Sequence, residues 1–232
     1  MSEPSRAQLI RKSLLWARLY GLVTRRVIRE RISARNDRLA SRILRTLVRQ
    51  ARLHRHEYTD GVRRLVYYSP ERNPYDRGRL QREFSVLWHS TMKEPFQPLL
   101  DAQQQRRLLG NLATACGLSL PGRARLALDH SMNETVPRLA LILAYADPDA
   151  VDLNQMVGFL DRLVSGRKFR LWWHLANRNR FIIQYLVPGD ESASELQRWI
   201  ARRPPISRSG PTPVPVSVKV YPAECLPVVR ST

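Results

Sequence analysis

Arg38, Arg42, Arg45, Arg49 and Arg52 recur at steps of four, three, four and three residues, while Ala40, Ile43, Leu44, Leu47 and Ala51 occupy positions between them. At 3.6 residues per turn this spacing sorts the two sets onto opposite sides of a helix. The pattern therefore predicts a helix with an apolar stripe that other elements must cover and a cationic ridge left facing outward. A stripe of this kind can be a solvated face with no ligand, but the acidic residues that would normally alternate on such a face are almost absent here.

The flanking segments restrict the choice further. Leu9, Ile10, Leu14, Trp16, Ala17 and Tyr20 follow helical spacing from Arg6 to Tyr20, and Gly21 supplies a stop. Thr24 is placed to cap a second helix through Val27, Ile28 and Ile32, and Ser33-Ala34-Arg35-Asn36 forms the turn after it. Asn36 and Asp37 then cap the arginine-striped helix and place negative charge at its start. Leu53 to Thr59 and Val62 to Ser69 are β-favouring runs across a tight Asp60-Gly61 turn. Helix, turn, helix and hairpin is an order that DNA-binding domains use.

Charge points the same way. The 39 Lys+Arg against 20 Asp+Glu leave a net +19 on 232 residues, more than solubility asks for. Residues 1–70 hold seventeen of the basic groups and five of the acidic ones, so +12 of that excess lies in under a third of the chain. Lys12, Lys93, Lys168 and Lys219 are the only lysines. Nearly all the positive charge is thus guanidinium, the group suited to bidentate contact with phosphate and guanine. Double-stranded DNA is the expected partner.

Beyond Pro70 the signals are weaker. The sequence predicts a linker from Pro70 to Gly78, a helix from Arg79 to about Met92 and another from Leu99 to Gly117. A strongly apolar helix is predicted from about Glu134 to Ala146, and a further one from Leu153 to Val164. Lys168–Leu175 and Phe181–Val187 read as a second hairpin, although Leu171 to Ile183 is also compatible with a helix. Asp190 to Arg202 is a last helix. Prolines 204, 205, 211, 213, 215, 222 and 227 mark an extended or disordered tail. The fold class expected is mainly α with small β-hairpins: a helix-turn-helix and hairpin domain over residues 1–72, a mostly helical domain over 79–202 with one hairpin, and a tail over 203–232.

Catalytic and metal signals are sparse. Asp129, Glu134, Asp147, Asp149, Asp152 and Asp161 show no carboxylate-x-Lys spacing of restriction-type nucleases, and Asp147, Asp149 and Asp152 read as a turn and a cap. Asp129-His130 with Glu134 is the one compact polar group in an apolar neighbourhood. His89, His130 and His174 with Cys116 and Cys225 form no zinc pattern, and no Gly-rich phosphate loop is present. No catalytic residue, metal or cofactor is expected. No apolar run approaches the roughly 20 residues of a membrane span. The basic start lacks the apolar core of a secretory signal, so a cytoplasmic, nucleoid-associated protein is expected.

With Tyr20-Gly21-Leu22-Val23-Thr24 leading into the second helix and Leu39 to Leu53 into the hairpin, residues 6–70 resemble the winged-helix superfamily. Together with Leu128-Asp129-His130 and Val136 to Leu141, they are similar to the replication-relaxation proteins of plasmids and integrative elements. The resemblance implies an N-terminal winged helix ahead of a domain with a His and a following apolar helix. On that scaffold Arg38, Ser41, Arg42 and Arg45 are expected at base edges, and Arg49 and Arg52 at phosphates. Thr24, Arg25 and Arg26 suit a phosphate anchor. Arg35 and Asn36 lie in the turn beside it. Arg63 and Arg64, with His54 and His56 nearby, sit on the wing. The function expected is sequence-directed binding of duplex DNA by a homodimer, as a transcriptional regulator or a replication or transfer factor of a mobile element. The helical domain would supply self-association or contact with a protein partner. A DNA-processing enzyme and a basic RNA-binding structural protein are the alternatives.

Overall fold

A computed structural model describes residues 4–59, 64–92, 96–115, 125–130, 137–144, 175, 178–187, 189–202 and 215–221. The chain divides into two units, residues 1–93 with 222–232, and residues 94–221.

In the first unit α1 (Arg6–Tyr20) starts at a capping box. The Gln8 amide donates to the Ser5 hydroxyl (3.3 Å) and the Ser5 amide donates to Gln8 Oε1 (2.7 Å). It stops at Gly21, whose φ of 78° is in the left-handed region that glycine adopts freely. Helix α2 (Arg25–Arg31) is capped by Thr24, and α3 (Asp37–Arg49) by Asn36. Ala40, Ile43, Leu44 and Leu47 of α3 are buried with Val27 and Ile28 of α2 and with Ala17 and Tyr20 of α1. The chain then forms β1 (His54–Thr59) and β2 (Arg64–Ser69), antiparallel with His54 opposite Ser69 and Thr59 opposite Arg64. The Asp60-Gly61 turn lies outside the described residues. Val23 adds a third, one-residue strand: its amide donates to the Tyr68 carbonyl and the Tyr68 amide returns the bond, both at 2.9 Å.

Two boundaries differ from the sequence reading. The segment read as a linker is packed: buried Tyr75 donates from its amide to the Tyr67 hydroxyl (2.8 Å) and from its own hydroxyl to the Gly21 carbonyl (2.7 Å). The Arg79 guanidinium lies 4.1 Å from the Tyr75 ring centre and pairs with Glu71. Helix α4 (Arg77–Thr91), assigned from sequence to the second domain, belongs to the first unit. It packs on α1, its Leu80, Val86 and Leu87 are fully buried, and the Arg31 side chain donates to the Thr91 carbonyl. Hydrophobic periodicity locates such a helix but does not say which core it serves.

The second unit is mixed α/β where a helical domain with one hairpin was expected. Its described elements are α5 (Ala102–Ala115), β3 (Leu126–Asp129), β4 (Arg138–Ala144), β5 (Phe181–Val187), α6 (Asp190–Arg202) and β6 (Val216–Val220). They form a four-stranded sheet of order β3-β4-β5-β6, antiparallel between β3 and β4 and parallel in the other two pairs. Of the apolar run predicted as a helix over 134–146, the stretch Arg138–Ala144 is strand β4, and 134–136 and 145–146 lie outside the described residues. A continuous apolar run suits a strand buried on both faces as well as a buried helix, and pairing on both sides decided the matter. Both edges of β5, the second arm of the predicted hairpin, are paired with β4 and β6. Residues 168–174 of that prediction, and the helix over 153–164, lie outside the described residues.

The tail is not wholly irregular either. Val216–Val220 completes the sheet, with Ile183 opposite Val216 and Val187 opposite Val220. Strand β5, α6 and β6 thus make a β-α-β unit, with α6 packed on both strands. Ala193 and Leu196 of α6 join Phe181, Ile183, Tyr185, Leu139, Leu141 and Leu109 in one apolar cluster. Across both units, no helix among the described residues is long and apolar enough to cross a membrane.

Candidate nucleic-acid interface

Helix α3 places Arg38, Arg42, Arg45 and Arg49 within roughly 60° of one another around its axis, opposite its four buried residues, at 100° per residue. All four are exposed, and they span about 16 Å at 1.5 Å per residue. Arg52 does not continue the ridge. The helix ends at Arg49, Gln50 caps it, and Ala51 turns the chain with a φ of 51°, so exposed Arg52 lies beyond the helix end.

Among the described residues, no carboxylate forms an ion pair with Arg38, Arg42, Arg45, Arg49 or Arg52. Contacts on this side are to backbone and hydroxyl groups. Arg45 Nε donates to the Ser41 carbonyl (3.4 Å), the Thr46 hydroxyl donates to the Arg42 carbonyl (2.9 Å), and Arg6 donates to Thr46 Oγ1 (3.2 Å). Arg6 brings a further guanidinium from α1 to the ridge. Forty residues separate it from Thr46, so no local pattern announced it. Ser41 is half-buried on the shoulder of the helix.

The remaining expected contacts are more constrained. The Thr24 side chain is buried and its hydroxyl accepts the Val27 amide (3.3 Å), so it works as a helix cap. Asn36 accepts the Leu39 amide at 2.9 Å in the same manner. Arg25 forks onto Asp37, donating from Nε at 2.8 Å and from its terminal nitrogen as well. That hydrogen-bonded pair raises the Arg25 pKa and lowers that of Asp37. Arg35, at a φ of 64°, stands 3.7 Å from Glu30, whose carboxylate is chiefly held by Arg29 at 2.6 Å. The Arg29 hydrogen bond is the main reason the Glu30 pKa is lowered. Arg64 pairs with Glu57 across the hairpin, which lowers the Glu57 pKa. Arg63 lies outside the described residues. Arg26 is exposed and makes no ion pair among them.

The structure therefore separates the arginines singled out from sequence. Arg25, Arg35 and Arg64 pair with carboxylates of their own unit. Arg26 makes no ion pair among the described residues but lies near enough to Glu30 to help lower its pKa. The α3 ridge pairs with no carboxylate among the described residues. Composition alone could not make that division, because Asp37, Glu30 and Glu57 are near in sequence to ridge residues but point elsewhere. His56 is also spoken for: it is buried, stacks on Tyr67 with ring centres 5.0 Å apart, and bonds to the Glu71 carbonyl at 3.0 Å.

In the second unit Asp129 sits on β3 opposite Arg138 of β4, and both are buried. Glu134, Asp147, Asp149, Asp152 and Asp161, like Cys116, Cys225 and His174, lie outside the described residues. Among the described residues no cluster of His, Cys, Asp or Glu is arranged to hold a metal ion. The chain matches no family model, no curated protein and no solved structure.

Proposed function

We propose that the chain is a double-stranded DNA-binding protein in which residues 4–92 act as a winged helix and α3 enters the major groove. The observation that carries this reading is the ridge of Arg38, Arg42, Arg45 and Arg49, exposed on a helix whose opposite face is fully buried. An α-helix fits the roughly 12 Å width of that groove. The hairpin and the Val23–Tyr68 bridge supply a small sheet of the kind that follows a recognition helix in this superfamily.

The ridge divides the work. Arg38, Ser41, Arg42 and Arg45, in the first half of α3, read bases, whereas Arg49 and Arg52 grip phosphate with Arg26. Arg25 holds α2 against α3 instead of contacting DNA directly. The biological role proposed is that of a transcriptional regulator, or of a replication or transfer factor of a mobile element, with the second unit mediating self-association.

Binding of the full chain to fragments selected from its genome, read by fluorescence anisotropy, tests the proposal. Saturable binding to selected duplexes, with at least tenfold preference over random duplex and over RNA, is the result expected. Equal or tighter binding to RNA would replace this reading with the RNA-associated one. Cleavage or nicking of supercoiled plasmid with Mg²⁺ or Mn²⁺ would replace it with a DNA-processing one.

A further inference from the structure

The first unit contains an open pocket of about 420 Å³ whose lining includes no residue of α3. Its walls come from three elements: Arg25 and Arg26 from α2, Val66 from β2, and Phe84 and Trp88 from α4, with Met92 just beyond α4. Phe84 and Trp88, four residues apart, share one face of that helix, and Met92, its C-cap, follows four residues on. Each of them, like Val66, is only half-buried, so the surface they turn toward the cavity remains unfilled.

Volume and chemistry together define an occupant. Small-ligand sites typically enclose about 300–1,000 Å³, mostly apolar, with a few polar groups that fix orientation. Here an aromatic and aliphatic body lies beside two guanidiniums. One of these, Arg25, is committed to Asp37, whereas Arg26 makes no ion pair among the described residues. Arg26 is exposed and stands beside this apolar lining, so a ligand with an apolar body and one anionic group gains a charge-assisted contact there that a neutral one lacks. We infer that this cavity binds a small amphiphilic anion, a planar hydrophobic body bearing one sulfonate- or carboxylate-type group, with the rings against Phe84 and Trp88 and the anion on Arg26.

Arg26 is also a phosphate contact in the function proposed above. The bound anion and the DNA backbone therefore compete for one guanidinium, which makes the cavity a site of negative regulation. The competition rests on the DNA reading; the binding does not.

The test uses 8-anilinonaphthalene-1-sulfonate and its uncharged counterpart N-phenyl-1-naphthylamine, titrated by fluorescence into the full-length protein. Saturable one-site binding of the sulfonate is expected. Arg26→Ala and Arg26→Gln should weaken it about tenfold while changing the affinity of the uncharged dye less than twofold. Unchanged near-ultraviolet circular dichroism and Tm in both variants show that the dyes report the native cavity. Val66→Phe, which fills the space, should reduce binding of both dyes. Non-saturable uptake of the sulfonate, or affinity indifferent to Arg26, overturns the site. A selected duplex should displace the sulfonate from the wild-type protein, and simultaneous binding of both without displacement overturns the competition. If duplex binds and the sulfonate does not, the cavity inference falls while the DNA reading stands; if the sulfonate binds and no duplex does, the reverse holds.

Discussion

Arg25 and Asp37 occupy the first position of α2 and the first position of α3, and their side chains meet in a forked ion pair. The pair ties together the starts of two helices whose buried faces already pack. Both groups are solvent-exposed, where such pairs contribute little to net stability. The pair stands at the start of the helix that carries Arg38 and Arg42, its Asp37 one residue before Arg38.

This pairing gives stability an acid limb. Asp37 is held below its ordinary pKa by Arg25, and Glu57 by Arg64. A lowered carboxylate pKa stabilises the folded state above the unfolded value, roughly pH 4, and that contribution is lost as pH falls through the lowered value. Urea midpoints measured from pH 7 down to pH 2.5 should fall below about pH 4, on the same pKa scale. In Asp37→Asn with Glu57→Gln the fall should be shallower. A double variant whose acid limb matches the wild type in depth and position would contradict the assignment.

Two backbone positions predict opposite outcomes. Gly21 has a φ of 78°, and a Cβ there would come 2.7 Å from a Glu83 carboxylate oxygen. Glu83 is a side chain that can swing away, so the conformational cost dominates, and Gly21→Ala should lose about 1–2 kcal/mol. Ala51, at a φ of 51° after α3, has the conformation that glycine takes without strain. Ala51→Gly should gain about 0.5–1 kcal/mol. Chemical denaturation of the two variants checks both signs.

Removing charge from the ridge should affect binding and leave folding intact. Arg42→Ala with Arg45→Ala deletes two exposed guanidiniums that make no ion pair among the described residues. Affinity for a selected duplex should drop by about 2–6 kcal/mol if each arginine reads a base. If instead they contact phosphate, the log–log salt dependence should flatten by about 0.9 per residue, and binding should weaken uniformly across sequences. The Tm should stay within about 2 °C of the wild type, as for exposed substitutions generally. Anisotropy titrations at several salt concentrations distinguish these outcomes, and unchanged affinity and slope would remove α3 from the interface.

The C-terminal segment should prove structural. Ending the chain after Arg202 deletes β6 and leaves one edge of β5 unpaired along Ile183 to Val187. An exposed apolar strand edge invites intermolecular pairing. Light scattering should therefore show concentration-dependent aggregation of the shortened chain. A monodisperse product with unchanged unfolding would show that the sheet does not need its fourth strand.

Much of the first unit was legible in the sequence because its signals are local. Thr24 and Asn36 each accept an amide three residues ahead, and Gly21 ends α1 by its own conformational freedom. Helical spacing of Ile43, Leu44 and Leu47 marked the buried side of α3 and left the arginines opposite. What tertiary structure alone decided depends on partners distant in the chain. Arg25 meets Asp37, Tyr75 closes onto Gly21, and α4 joins the first core through contacts that no local window contains. The apolar run at Leu139 to Ala144 became a strand because Leu126 to Leu128 on one side and Phe181 to Leu186 on the other present backbone groups to pair with. A helix satisfies its amides and carbonyls within its own sequence, whereas a strand must find them in another segment, so the sequence specified the former directly and the latter only once the chain was folded.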